Sequence, residues 1–128
     1  MNDLNANGYL SIDIIEKVTP FLIDFSKIMR DLEVETINAV ATEVFRKSPN
    51  GVDVVKQFEH ILGSKISIIT QEEEAQLAFQ GAVGTSGLNP ATLVVWDCGA
   101  GSFQVKSNAN VYFDSWGSGT IYKEAKSI

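Results

Sequence analysis

The chain has 128 residues, 45% hydrophobic and 20% charged, the composition of one ordinary globular domain or two small lobes, and long enough to bury about two thirds of its unfolded surface without a staple. Its single cysteine, Cys98, and single histidine, His60, exclude an internal disulfide and a structural zinc finger, and no apolar run approaches the roughly 20 residues of a membrane helix. Sixteen acidic residues against ten basic ones leave a charge of −6; the basic residues do not cluster, so no nucleic-acid partner and no membrane are expected, and without a basic, hydrophobic leader the protein reads as cytoplasmic.

No internal repeat or low-complexity tract organises the chain, so hydrophobic period and punctuation must. From Ser11 to Leu32, Ile14, Ile15, Val18, Leu22, Phe25, Ile28, Met29 and Leu32 recur at spacings of three and four, which predicts an amphipathic helix capped by Ser11. Pro20 lies inside it and predicts a kink or two shorter helices. Glu35 to Val40 is short and partly β-branched, consistent with a strand, followed by a helical turn through Ala41 to Arg46. After the break at Pro49, Asn50 and Gly51, a second helix runs from Val52 to Leu62 and stops at Gly63. Lys65 to Ile69 reads as a buried strand. Thr70 with Glu73 has the form of a capping box opening a third helix, and Thr92 to Trp96 reads as a third buried strand. Ser102 to Tyr122 alternates around Asn108 and again around Ser115, Gly117 and Gly119, which predicts two antiparallel strands joined by a turn.

Strand, helix, strand, helix, strand implies an α/β fold with right-handed parallel crossovers, whose ligand sites lie beyond the carboxyl ends of the strands. Three loops then hold candidates: Thr42 with Arg46, Glu72 to Glu74, and Asp97 followed by Cys98, Gly99, Ala100, Gly101 and Ser102. Arg46 falls on the same side of a first helical turn as Thr42, where a guanidinium and backbone amides can hold a phosphate; taken alone, the pair fits an ordinary surface arginine better. The three glutamates suit a helix amino terminus without any catalysis. Because Glu73 is taken as the partner of Thr70, Glu74 is the one left to point elsewhere. An acid at a strand end followed by small residues lets backbone amides approach a phosphate while the carboxylate holds Mg²⁺ or orients water, although glycines between strands also make plain hairpins. Cys98 has no histidine placed to activate it and reads as a small thiol beside a buried strand. His60 reads as solvated, and Trp96 and Phe103 as core.

Taken together, Asn7-Gly8-Tyr9-Leu10-Ser11, Ala41-Thr42-Glu43-Val44-Phe45-Arg46 with Asn50, Ile68 to Leu77, and Val94 to Ser102 resemble, in order and spacing, the Ppx/GppA family of exopolyphosphatases and guanosine pentaphosphate phosphohydrolases. The resemblance runs from about Gly8 to Gly119. That family belongs to the actin and sugar kinase superfamily, so the resemblance implies a partial ribonuclease H-like lobe of the actin-like ATPase type. Residues 1–90 would be the latter part of the first lobe, and residues 91–128 the first strands of the second. It further implies that Glu74 positions the attacking water and that Thr42 and Arg46 contact phosphate. Gly99, Ala100, Gly101 and Ser102 would form a second phosphate loop, with Asp97 at Mg²⁺ and polyphosphate or pppGpp as substrate.

Departures from the family's pattern qualify that expectation. The family has a third glycine where this chain has Ala100, and Thr and Glu where it has Phe103 and Gln104. If position 100 needs a positive φ, alanine strains the loop by about 1 kcal/mol; losing the acid at 104 removes a metal or water contact. The family's first, Asp-containing phosphate hairpin and the remaining strands of the second lobe have no counterpart here, which implies a fragment with a bare sheet edge able to pair into a homodimer. The alternative expectation is a degenerate, non-catalytic nucleotide-sensing or interaction module of the same fold.

Overall fold

The structure, a computed structural model, describes residues 6–119 and divides between Ile68 and Ile69 into two compact units. The first contains helix α1 (Ile12–Asp31), strand β1 (Ala39–Ala41), helix α2 (Glu43–Lys47), helix α3 (Gly51–Leu62) and strand β2 (Ile66–Ile68). As expected, Ser11 caps α1, its hydroxyl accepting from the Ile14 amide at 3.3 Å. The expectation of two shorter helices does not hold: α1 runs through Pro20 as one 20-residue helix. Pro20 is exposed, and the residues on either side of it, Val18 and Leu22, pack on the same core of Leu10, Val54 and Phe58. That shared burial opposes the break a lone proline favours. The buried stripe is also narrower than predicted, since Phe25, Ile28 and Leu32 are exposed.

β1 and β2 pair in parallel, Ala39 with Ile66 through Ala41 with Ile68, with α2 and α3 as the crossover. The ladder is shorter than the predicted Glu35–Val40 and Lys65–Ile69 because each strand meets only three partner residues. Gly63, at φ 68°, ends α3 in the left-handed region, its amide bonding the Glu59 carbonyl. Gly51 is required for another reason: a Cβ there would lie 2.0 Å from the Phe45 carbonyl oxygen. Between α2 and α3, Asn50 clasps the start of α1. Its Oδ1 accepts from the Leu10 amide at 3.0 Å and its Nδ2 donates to the Leu10 carbonyl at 2.8 Å, while the Ser48 hydroxyl donates to the same Oδ1 at 2.6 Å.

The second unit begins with helix α4 (Gln71–Ser86), continues through a 3₁₀ turn (Pro90–Thr92), and ends in strands β3 (Val94–Cys98), β4 (Phe103–Ser107) and β5 (Val111–Asp114). β4 and β5 form the predicted antiparallel pair around Asn108, with the Ser107 amide bonding the Asn110 carbonyl at 2.9 Å; positions 120–122 of the predicted stretch lie outside the described residues. One expectation is corrected. The run beginning at Thr92 is not a third buried parallel strand: β3 starts at Val94, pairs antiparallel with β4 in a separate sheet, and is bare on one face, with Val94 64% and Trp96 70% exposed. Trp96 is therefore not a core residue, and Cys98 is exposed rather than tucked beside a buried strand. A short apolar run looks the same whichever sheet it joins and whether one face or both are covered.

Candidate functional site

The first turn of α4 is organised as its sequence suggests. The Thr70 hydroxyl accepts from the Glu73 amide at 3.1 Å and the Glu73 carboxylate accepts from the Thr70 amide at 2.8 Å, a closed capping box. The backbone amide of Thr70, helped by its hydroxyl, holds the Glu73 carboxyl below its ordinary value. Glu72 and Glu73 are exposed, while Glu74 is half-buried, the least exposed carboxylate of the three.

Two contacts fix where α4 lies on the sheet. At its start the Gln71 side-chain amide donates to the Asp114 carbonyl at 3.0 Å, and two turns later the Phe79 ring lies beneath the Lys106 ammonium, 5.6 Å from its centroid. Lys106 thus marks the helix-covered face. Gln104, two residues back on the same strand, shares that face, and so does Asp97, directly opposite Gln104 in the β3–β4 register. The row Asp97, Gln104, Phe113 lies next to the row that ends in Asp114, so it sits toward the amino-terminal end of α4. Asp97 is half-buried, while Gln104 is buried and its Oε1 has no hydrogen-bond partner.

The turn after β3 is closed by the Gly99 amide donating to the Ser102 carbonyl at 2.9 Å. It is braced by the segment after β5: the Ser118 amide bonds the Gly99 carbonyl and the Gly119 amide the Ala100 carbonyl, each at 2.9 Å. Gly117 lies so close beneath this turn that a Cβ would fall 2.3 Å from the Ala100 carbonyl carbon. The strain expected at Ala100 does not arise, because its φ is not positive. The amides of Ala100, Gly101 and Ser102 find no backbone acceptor among the described residues, three successive donors of the kind that suit an anion.

Thr42 and Arg46 belong to the other unit. Thr42 precedes α2, its carbonyl accepting from the Phe45 and Arg46 amides at 3.1 and 3.0 Å. Arg46 is oriented by Glu43, whose buried carboxylate accepts from the Arg46 Nη2 at 2.7 Å and also pairs with the Lys47 ammonium. Glu43 is the residue that sequence reasoning passed over; its spacing of three to an arginine and four to a lysine is the available signal. His60 is exposed, and the depression of about 670 Å³ that it borders with Ser26, Arg30 and Glu35 contains none of the candidates.

Asp97, Gly99, Ala100, Gly101, Ser102 and the first turn of α4 are thus brought together within one unit, and Thr42 and Arg46 within the other. Among the described residues no three His, Cys, Asp or Glu side chains gather as a metal cage, and no helix is long and apolar enough to cross a membrane.

Comparison with known proteins supplies the family. Residues 1–114 match the Ppx/GppA phosphatase family. Over 102 residues the chain is 35% identical to a guanosine-5'-triphosphate,3'-diphosphate pyrophosphatase of Aliivibrio fischeri, covering 80% of this chain and 20% of that protein. It is 32% identical, with the same coverage, to the corresponding protein of Photobacterium profundum. Among solved structures it superposes on the Aquifex aeolicus PPX-GPPA enzyme with a TM-score of 0.78 at 23% identity, covering 95% of this chain and 42% of that one. An exopolyphosphatase from Cytophaga hutchinsonii gives a TM-score of 0.81 at 18% identity, covering 93% and 40%. The chain spans a fifth of the length of the curated relatives it matches. With the family match extending over most of its length, the chain belongs to the Ppx/GppA phosphatase family.

Proposed function

We propose that this chain contributes the hydrolytic site of a phosphoanhydride hydrolase that removes the terminal phosphate of pppGpp or inorganic polyphosphate by attack of water, acting in the cytoplasm. The observation that carries the reading is the grouping, within one unit, of Asp97, the first turn of α4 and the amides at positions 100–102, which find no backbone acceptor among the described residues. Phosphoryl transfer needs an in-line nucleophile, a group within reach of its proton and neutralised oxygens. Glu74, not consumed by the capping box, is assigned to orient the water and accept its proton. The turn of Gly99, Ala100, Gly101 and Ser102 donates to the phosphate; the assignment of Thr42 and Arg46 to phosphate is supported by their likeness to the family's motif alone. Mg²⁺, when bound, supplies positive charge against the phosphate oxygens. Asp97, half-buried on the helix-covered face, would hold it, in the mode where one carboxylate suffices because substrate oxygens and water complete the shell.

In the intact protein, Glu74→Gln is expected to lower phosphate release from pppGpp and polyphosphate by two or more orders of magnitude, with the fold intact by circular dichroism. Unchanged turnover removes Glu74 from the mechanism.

A second reading is favoured by Ala100, Phe103 and Gln104, which depart from the family's loop: a binding module that senses the nucleotide without hydrolysing it. Titration with pppGpp and polyphosphate beside a phosphate-release assay separates the two, since saturable binding with no release supports the sensor.

A further inference from the structure

Gln104 is 1% exposed, and the two halves of its amide differ. Nε2 donates to the hydroxyl of Ser102, itself 2% exposed, at 3.2 Å, while Oε1 has no partner among the described residues. A buried unpaired carbonyl oxygen is destabilising, and a methionine would fill much the same volume without that penalty. What the amide adds is therefore its donor. A serine hydroxyl has one proton and two lone pairs; having accepted from Gln104, it must direct its own proton to another acceptor. A carboxylate at this position accepts only, and would take that proton for itself. Ser102 also closes the turn whose amides at 100–102 find no backbone acceptor among the described residues, so a hydroxyl poised as a donor extends the same array.

We infer that Gln104 is a positioning residue: its amide holds the Ser102 hydroxyl as a hydrogen-bond donor to a phosphoryl oxygen seated in the 99–102 turn. This rests on the phosphate reading of that turn. The partner it implies is the fully ionised end of a phosphate chain, which offers acceptors and no proton.

The test is a double-mutant cycle on the affinity of the full chain for tripolyphosphate, measured by calorimetry, with the melting temperature of each variant recorded. Ser102→Ala is expected to weaken binding about tenfold, the loss of one hydrogen bond to a charged group. Gln104→Met is expected to weaken it severalfold without lowering the melting temperature, and the double variant to bind no more weakly than Ser102→Ala alone. Losses that multiply, or wild-type affinity in Gln104→Met, overturn the inference while leaving the phosphate site standing. Failure of the wild-type chain to bind removes the phosphate reading, and the inference with it. Gln104→Glu gives an independent measure. Its carboxyl can donate to Ser102 only when protonated, so its affinity relative to wild type should recover as the pH falls through that carboxyl's pKa. A ratio independent of pH overturns the role assigned to the amide.

Discussion

Among the described residues, two carboxylates are held in the charged form mainly by backbone amides. Glu73 accepts from the Thr70 amide and hydroxyl; Glu59, near the end of α3, accepts from the Ile66 amide at 2.9 Å and pairs with Lys65 at 3.5 Å, fastening the helix to the start of β2. Both pKa values lie below the ordinary 4.5, in each case chiefly because of the amide. A lowered folded-state pKa means that the stabilisation is complete above 4.5 and lost as the pH falls through the folded value. The melting temperature is therefore expected to decline on acidification below about pH 4.5, and Glu59→Gln, which loses the charge-assisted bond at neutral pH, should show a smaller decline. An equal decline in wild type and variant would assign the acid sensitivity elsewhere. Arg46 is a residue whose orientation depends on a neighbour. Glu43→Ala removes the carboxylate that holds both it and Lys47, and because both cations retain access to water the expected loss is only about 1 kcal/mol in urea unfolding.

At the scale of elements, the Asn50 clasp connects two segments forty residues apart in sequence by imitating a peptide group, one donor and one acceptor against the Leu10 backbone. Asn50→Ala leaves a largely buried amide and carbonyl without these partners and is expected to destabilise the chain by about 2–3 kcal/mol. Asn50→Asp, which can accept but not donate, should recover part of that loss; identical unfolding midpoints for the two variants would show that only one of the bonds matters. Gly51→Ala should be at least as damaging, since a Cβ 2.0 Å from the Phe45 carbonyl forces α2 and α3 apart. The elements most legible in the sequence were those specified by local chemistry: the Ser11 cap, the Thr70–Glu73 box and the Gly63 stop each depend on residues within about one helical turn. Pro20 and the run from Thr92 to Trp96 misled because their outcome depends on packing and pairing partners outside the segment itself. Burial on both sides of Pro20 keeps α1 continuous, and β4, across the turn, decides that β3 is antiparallel.

At the scale of the whole molecule, apolar surface that a globular chain ordinarily covers lies open. Phe21, Phe25, Ile28 and Leu32 form an exposed stripe along α1, and Val94, Trp96 and Tyr112 a bare patch on the three-stranded sheet. β1 pairs only with β2, leaving its second edge without a strand among the described residues, and Val40 there is half exposed. An unpaired edge beside apolar surface is a template for association, so we propose that the chain forms a homodimer through this edge. Light scattering should show a mass that rises with concentration, and Val40→Lys should lower the association constant about tenfold or more; a monomer at all concentrations would refute pairing at this edge.

The cap that opens α1, the glycine that stops α3, the box that opens α4 and the family to which the chain belongs were determined by the sequence alone. Each follows from contacts between residues a few positions apart or from motifs preserved in order. The sheet that each strand joins, the face on which Asp97 meets Gln104, the burial of Glu43 against Arg46 and the ease with which Ala100 occupies a glycine's place were decided only by the tertiary structure. These depend on register, burial and the backbone path that packing imposes, and a side chain's polarity does not reveal which backbone will come to lie against it.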